Sequence, residues 1–330
     1  METIPQEDPL LQSRTDLDEL RFAAAAVQSA LGEIVIGQQG LAELMMAAIL
    51  ADGHILIEGV PGVAKTLTAK AMARLLGLPF SRIQFTPDLM PSDVVGTTVF
   101  NTRTAEFEFR SGPVFAQVVL IDEINRAPAK TQSALFEVME ERQVTVDGQT
   151  YPMAAPFIVM ATQNPIEQEG TYRLPEAQLD RFLFKIQVGY PSREDEVRML
   201  ETFRHVQSRK QVDTLEPLLD AERLLRYQTL TRSVHVSEAM MHYLVQVVSA
   251  TRSSRDIYLG ASPRATLNLM HASQALAAIR GRDFVTPEEV KALAAPVLQH
   301  RILLTPEREM EGIAPDTVLQ QLINAIEVPR

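Results

Sequence analysis

The chain is predicted to fold as a doubly wound α/β domain on a parallel sheet, followed by an all-helical second domain. Three observations carry this. Continuous apolar runs recur at His54-Ile55-Leu56-Ile57, Val118-Val119-Leu120-Ile121 and Phe157-Ile158-Val159-Met160, the pattern of strands covered on both faces. The first run leads through a glycine-rich turn into a helix from Thr66 to Leu76, the opening of an α/β unit. After Pro191-Ser192 the strand-like runs stop, and helix-opening residues recur at Ser237, Ser262-Pro263 and Thr286-Pro287. The 330 residues suit two domains, at about 100–200 residues each. The boundaries expected are a loose lead-in over 1–18, the α/β domain over 19–191 and the helical domain over 192–330.

Each element has its own signal. Apolar residues recur at helical spacing from Leu20 to Leu31, and Leu41 to Leu50 is a second helix. Between them Ile34-Val35-Ile36-Gly37 is a short apolar run ended by glycine. Gly77 stands where a left-handed C-cap closes a helix. Arg82-Ile83-Gln84-Phe85 and Phe182-Leu183-Phe184-Lys185-Ile186 are further strands, and Thr131 to Arg142 is helical. Two hairpins interrupt the domain, near 98–109 and near 143–152. The second turns on Asp147-Gly148, a strong two-residue turn signal. Thr286 as N-cap, Pro287 at N1 and Glu289 at N3 form a capping box.

Composition removes several classes of function. There is no cysteine, so disulfides, thiolate metal sites and cysteine catalysis are excluded. The formal net charge is −11, which disfavours bulk binding to nucleic acid or anionic membrane. The chain begins Met1-Glu2-Thr3-Ile4-Pro5-Gln6-Glu7-Asp8, acidic where a signal peptide is basic. No apolar run approaches the roughly 18 residues of a membrane helix. A soluble cytoplasmic protein is expected. The six histidines show no ligand spacing, and His54, leading a strand, reads as packed or capping.

The chemistry is concentrated in a few places. Gly59-Val60-Pro61-Gly62-Val63-Ala64-Lys65-Thr66 lies between a strand and a helix, the context of a phosphate-binding loop. Its backbone N–H groups would cradle phosphate oxygens. Lys65 would neutralise the β- and γ-phosphates, and Thr66 would ligate Mg²⁺. Ala64 replaces the usual glycine, which is tolerable if the position avoids positive φ. The strand ending in Asp122-Glu123 delivers two carboxylates where ligands of open α/β sheets bind. Asp122 would hold Mg²⁺, and Glu123 would act as general base on the attacking water. Asn164 follows an apolar strand at the same sheet edge. By pattern alone it reads first as a turn residue before Pro165, and secondly as an amide that holds the attacking water. Arg264 sits at N2 of a helix, where a cation opposes the macrodipole by about 0.3–1 kcal/mol. It is either solvated or there for a bound phosphate. Arg181, in Leu179-Asp180-Arg181-Phe182, is either a salt-bridged surface residue or an arginine finger for a neighbouring subunit.

Taken together these residues resemble an AAA+ ATPase of the MoxR family, over about residues 20 to 325. The matching segments are Val35-Ile36-Gly37-Gln38, the loop from Glu58 to Thr66, Gln84 to Asp93, Leu120 to Ala127, Ala161-Thr162-Gln163-Asn164-Pro165 and Gly260-Ala261-Ser262-Pro263-Arg264-Ala265. Ala64 is the residue this family usually has. The resemblance implies a P-loop AAA+ domain with a helical lid. Gly59, Val60, Pro61, Gly62, Val63, Ala64, Lys65 and Thr66 would be Walker A, with Leu67 completing the nucleotide contacts. Asp122 and Glu123 would be Walker B, Asn164 sensor 1, Arg264 sensor 2 and Arg181 a finger acting across a subunit interface. Val35, Ile36 and Gly37 would lie against adenine. The two hairpins would be a helix-2 insert and a pre-sensor-1 hairpin, facing a central pore or a partner.

The function implied is hydrolysis of ATP with Mg²⁺ by an ATP-stabilised ring, usually a hexamer. Its work would be chaperone-like remodelling or activation of client proteins, often in metal-cofactor maturation, with a von Willebrand factor A domain partner. In this reading Arg264 and the neighbour's Arg181 offset charge on the same γ-phosphate, and the lid moves with that phosphate. Two alternatives stand beside it. One is the ATPase subunit of a magnesium-chelatase-like machine. The other is a nucleic-acid motor or loader, which the acidic charge disfavours: the basic points at the hairpins are only Arg103, Arg110 and Arg142.

Overall fold

The structure is a computed structural model that describes residues 16–165, 171–172, 174–205 and 212–329. The expected lead-in over 1–18 lies outside the described residues as far as residue 15. Helices α1 (Asp18–Ile34) and α2 (Gln39–Leu50) precede strand β1 (His54–Gly59) and helix α3 (Lys65–Leu75). Next come β2 (Phe80–Gln84), the short α4 (Pro91–Val95) and the hairpin β3 (Gly96–Asn101) with β4 (Glu106–Ser111). Strand β5 (Val118–Asp122) and helix α5 (Ala129–Glu141) lead to the hairpin β6 (Gln143–Val146) with β7 (Gln149–Pro152). Strand β8 (Ile158–Gln163), the single turn α6 (Glu176–Leu179) and β9 (Phe182–Val188) complete the α/β part.

Among the described residues five strands form one sheet in the order β2-β5-β8-β1-β9, and every pairing is parallel. The order explains the unbroken apolar runs. Ile55, Ile57, Leu120 and Met160 pack on one face with α1, α2, α3 and the lid. Leu56, Val119, Ile121 and Val159 pack on the other face with α5. Burying each such side chain contributes about 1.5–3 kcal/mol, so both faces must be apolar. The register sets Gln84 beside Asp122 and Ile121 beside Ala161. Hence the C-terminal ends of β2, β5, β8 and β1 share one edge.

Both hairpins are present. Asp147 and Gly148 have φ of 51° and 79°, the left-handed pair of a type I′ turn. Phe109 stacks on Tyr151 with ring centroids 4.1 Å apart, which joins the two hairpins. Beyond that stack, Phe100 and Phe107 pair at 5.2 Å, and Phe107 is exposed.

Helix α7 (Arg193–His205) opens the second part. It is followed by α8 (Ala221–Arg232), α9 (Glu238–Ser253), α10 (Pro263–Ile279) and α11 (Pro287–Leu298), then α12 (Pro306–Met310) and α13 (Pro315–Asn324). A small antiparallel pair, β10 (Ile257–Leu259) with β11 (Leu303–Leu304), is set among these helices. The capping box at α11 is formed: Glu289 accepts the Thr286 N–H at 2.9 Å. Its carboxylate is fully buried and paired with Arg280 and Arg282. Polar contacts fix the lid to the N-terminal helices. Glu19 accepts from Arg223 at 3.1 Å and from the Tyr227 hydroxyl at 2.9 Å, and the Gln228 amide donates to the Ile49 carbonyl at 2.7 Å. Among the described residues no helix is long and apolar enough to cross a membrane.

Candidate nucleotide site

The loop between β1 and α3 has the backbone that an anion cradle requires. Gly62 has φ 88°, open only to glycine at little cost. Ala64 also lies in the left-handed region, at φ 60° and ψ 20°. The condition set for a tolerable alanine, that this position avoids positive φ, is therefore not met. A left-handed alanine costs about 1–2 kcal/mol. Its conformation turns the chain directly into the first turn of α3, whose N–H groups lie beyond the intrahelical ladder and form the floor of the loop. The Lys65 ammonium donates to the Gly59 carbonyl.

The acidic pair lies across from it. The Thr66 hydroxyl donates to Asp122 Oδ2 at 3.2 Å. These two hard oxygen donors, from a threonine and a buried carboxylate, are the kind Mg²⁺ takes, so the site fits that ion. Glu123 has φ 57° and ψ 53°, a conformation that costs about 1–3 kcal/mol for a non-glycine residue and persists where the surroundings enforce it. Here Thr162 enforces it. Its hydroxyl accepts the Glu123 N–H at 3.0 Å and donates to Asp122 Oδ1 at 2.7 Å. Asn164, buried, leaves the end of β8 between the β1 and β5 edges.

Besides Thr162, three residues that sequence reasoning missed hold the two acids. Arg82 on β2 donates through Nε to Asp122 Oδ2 at 2.9 Å and pairs with it through Nη2 at 2.7 Å. Gln84 donates to Glu123 Oε2 at 2.9 Å, and Arg126 pairs with the same oxygen at 3.0 Å. The alternation of β2 was the one available signal: Arg82 and Gln84 share a side of that strand. Which strand they face depends on the sheet order.

Val35, Ile36 and Gly37 have different surroundings. Val35 is buried in the core. Ile36 and Gly37 line a cavity of about 360 Å³ with Asp195 and Arg198 of α7, and it adjoins a larger one of about 650 Å³ between α1, α2 and α7. Gly37, at φ 81°, approaches Asp195 so closely that a Cβ there would lie 2.9 Å from its carboxylate.

Arg264 stands elsewhere. Its guanidinium donates to Glu140 at 3.0 Å. Arg181 is 3.7 Å from the same carboxylate and donates to the Phe136 carbonyl. Both arginines line a cavity of about 180 Å³ with His54, Arg142 and His271. His54 is the first residue of β1, whereas the P-loop follows its last. At about 3.3 Å per residue the two ends are roughly 17 Å apart. The expected convergence of Arg264 on its own P-loop is thus corrected. The lid seats the start of α10 at the N-terminal edge of the sheet, where the Ser262 hydroxyl donates to Asp180 at 3.4 Å. The anion that offsets the macrodipole penalty is Glu140. Hydrogen bonding from Arg264, then the nearby cations, holds its carboxyl below the usual range.

His54 fixes this edge. Its Nδ1 accepts the Val159 N–H at 3.0 Å, so its Nε2–H donates to the Met139 carbonyl at 3.2 Å. Burial, then the Arg142 charge, lowers its pKa from 6.5 to about 4. The unfolded chain therefore takes up a proton near pH 6.5 that the fold refuses until about pH 4. Stability complete above pH 6.5 is lost as pH falls through this window, by about 1.4 kcal/mol per pH unit. Urea unfolding at pH 7 and pH 5 checks this: the midpoint falls further for wild type than for His54→Asn. Equal falls would remove His54 as the source.

Comparison with known proteins agrees with this geometry. Residues 54–184 match the ATPase family associated with various cellular activities, and residues 249–322 match the AAA lid domain. The chain is 47% identical to Chaperone MoxR1 of Mycobacterium tuberculosis, over 90% of this chain and 80% of that one. It belongs to the MoxR family of AAA+ ATPases. A second relative, YeaC of Bacillus subtilis, is 46% identical over 91% of this chain and 92% of its own. Protein MoxR of Paracoccus denitrificans is 33% identical over 87% and 91%. A crystal structure of a candidate ATPase from Cytophaga hutchinsonii superposes with a TM-score of 0.87 at 39% identity, covering 95% of this chain and 97% of that one. The MoxR family thus accounts for the parallel sheet and the helical lid.

Proposed function

We propose that the chain hydrolyses ATP with Mg²⁺ at the interface between subunits of a ring, and uses the cycle to remodel or activate a client protein. One observation supports this best: the loop and acids lie on one sheet edge, while Arg181 and Arg264 lie together on the opposite edge of the same chain. A subunit can complete its nucleotide site only by receiving a neighbour's arginines. Both then act in trans on one γ-phosphate, Arg264 as well as Arg181.

In this reading Lys65 and the loop N–H groups bind the phosphates, and Thr66 and Asp122 hold Mg²⁺, which neutralises charge on the phosphate oxygens when bound. Glu123 takes a proton from the attacking water, and Asn164 orients that water. Arg82 must leave Asp122, and Gln84 must release Glu123, before either acid works. A hexamer is the ring size we favour, in the cytoplasm, with a von Willebrand factor A domain protein as partner and metal-cofactor maturation as the setting. The exposed Phe100–Phe107 pair at the hairpin tip is the surface offered to that client.

Phosphate release and light scattering on the purified chain test the reading. ATP with Mg²⁺ should produce both turnover and a ring-sized particle, and Lys65→Ala should abolish turnover. A chain that hydrolyses ATP equally well as a dilute monomer would overturn the interface.

A further inference from the structure

We propose that Arg301 is a positioning residue for the trans-acting pair, holding Arg181 and Arg264 in the geometry in which a neighbour's γ-phosphate meets them. The inference rests on the interface reading above. Arg301 follows α11 in the lid, and its side chain is 1% exposed. A buried guanidinium is costly unless its N–H donors are paired. Here they reach five acceptors. Nε donates to Asp180 Oδ1 at 2.6 Å. Nη2 donates to the Asp180 carbonyl at 3.1 Å and to the Phe182 carbonyl. Nη1 donates to the Leu183 carbonyl at 3.1 Å and to Val297 at the end of α11.

Two of these acceptors, the carbonyls of residues 180 and 182, flank Arg181. One planar fork therefore fixes the backbone on both sides of the finger. The other carboxylate oxygen of Asp180 accepts the Ser262 hydroxyl at 3.4 Å, two residues before Arg264. The neighbouring His300 adds an Nε2–H to the Phe182 carbonyl at 3.0 Å. Lid, finger and α10 start thus meet on one ion pair, Arg301 with Asp180. Arg301 touches no nucleotide on either chain; it acts through the two arginines it seats.

Arg301→Lys keeps the charge and loses the fork, because an ammonium cannot bracket both carbonyls as a rigid plane does. A displacement near 1 Å of a placed group costs about 10²-fold. The full chain carrying Arg301→Lys should bind a fluorescent ATP analogue as wild type does, with kcat lowered about 10–100-fold and KM unchanged. Mixing it with Lys65→Ala subunits should restore turnover. Those subunits have a dead loop but intact arginines, which they lend to the variant's own nucleotide. Arg181→Ala mixed with Lys65→Ala is the control. Wild-type turnover by Arg301→Lys overturns the proposal. So does lost nucleotide binding, or failure of mixing to restore Arg301→Lys where it restores Arg181→Ala, since each assigns Arg301 to folding alone. If Arg181→Ala is not restored either, the interface reading itself falls and takes the proposal with it.

Discussion

Arg181→Ala lowers kcat by about 10³–10⁵, the contribution of an arginine finger, while nucleotide affinity at its own P-loop stays at the wild-type value. The two effects separate because residue 181 shares a cavity with His54, one strand length, roughly 17 Å, from the edge that carries the variant's own loop. What Arg181→Ala damages is the neighbour's site. The same argument extends to Arg264→Ala, which shares Glu140 with Arg181. Both arginines act on one γ-phosphate as a unit, so the double variant should be little worse than Arg181→Ala alone. Turnover within a few-fold of wild type would remove Arg181 from the chemistry. Loss of nucleotide binding in the same chain would instead place it in the fold.

Glu123→Gln has the second large effect. A positioned general base contributes about 10²–10⁴ in rate, and an amide cannot take the proton. The amide oxygen still accepts the Gln84 N–H, and the Thr162 bond to the backbone of residue 123 is untouched. The left-handed turn therefore survives, and ATP binds without being consumed. A ring of this variant should stay assembled in ATP and hold its client through affinity purification. ATP-dependent capture of a protein with a von Willebrand factor A domain, or of an immature metalloenzyme, supports the chaperone function and names the client. Capture of a chelatase subunit or of nucleic acid redirects it. Retained hydrolysis would move the base elsewhere.

Much of this site was legible because it is contiguous. Gly59 to Thr66 is one turn, and Asp122-Glu123 is one strand end. An apolar run followed by these residue types already states where a sheet delivers them. The conformation of Ala64 was not legible. The residue type left its φ open, and the entry to α3 imposes a left-handed one. Arg82, Gln84 and Thr162 were not legible either. They reach the acids only because β2 and β8 flank β5, and strand order is set by packing between distant segments.

The case of Arg264 divides the two sources of information most clearly. Local chemistry said only that a cation at N2 of α10 opposes the macrodipole, and so is either solvated or there for an anion. Periodicity and motif spacing determined the fold class, the two hairpins, the P-loop, the acidic pair and the helical lid, since each is a property of neighbours in sequence. Only the tertiary structure decided which anion Arg264 meets. Ser262 and Arg301 both bind Asp180, so the lid settles on the N-terminal edge of the sheet and Arg264 pairs with Glu140. A helix dipole acts over one turn, whereas the edge at which that turn arrives is set by burial summed over the whole lid.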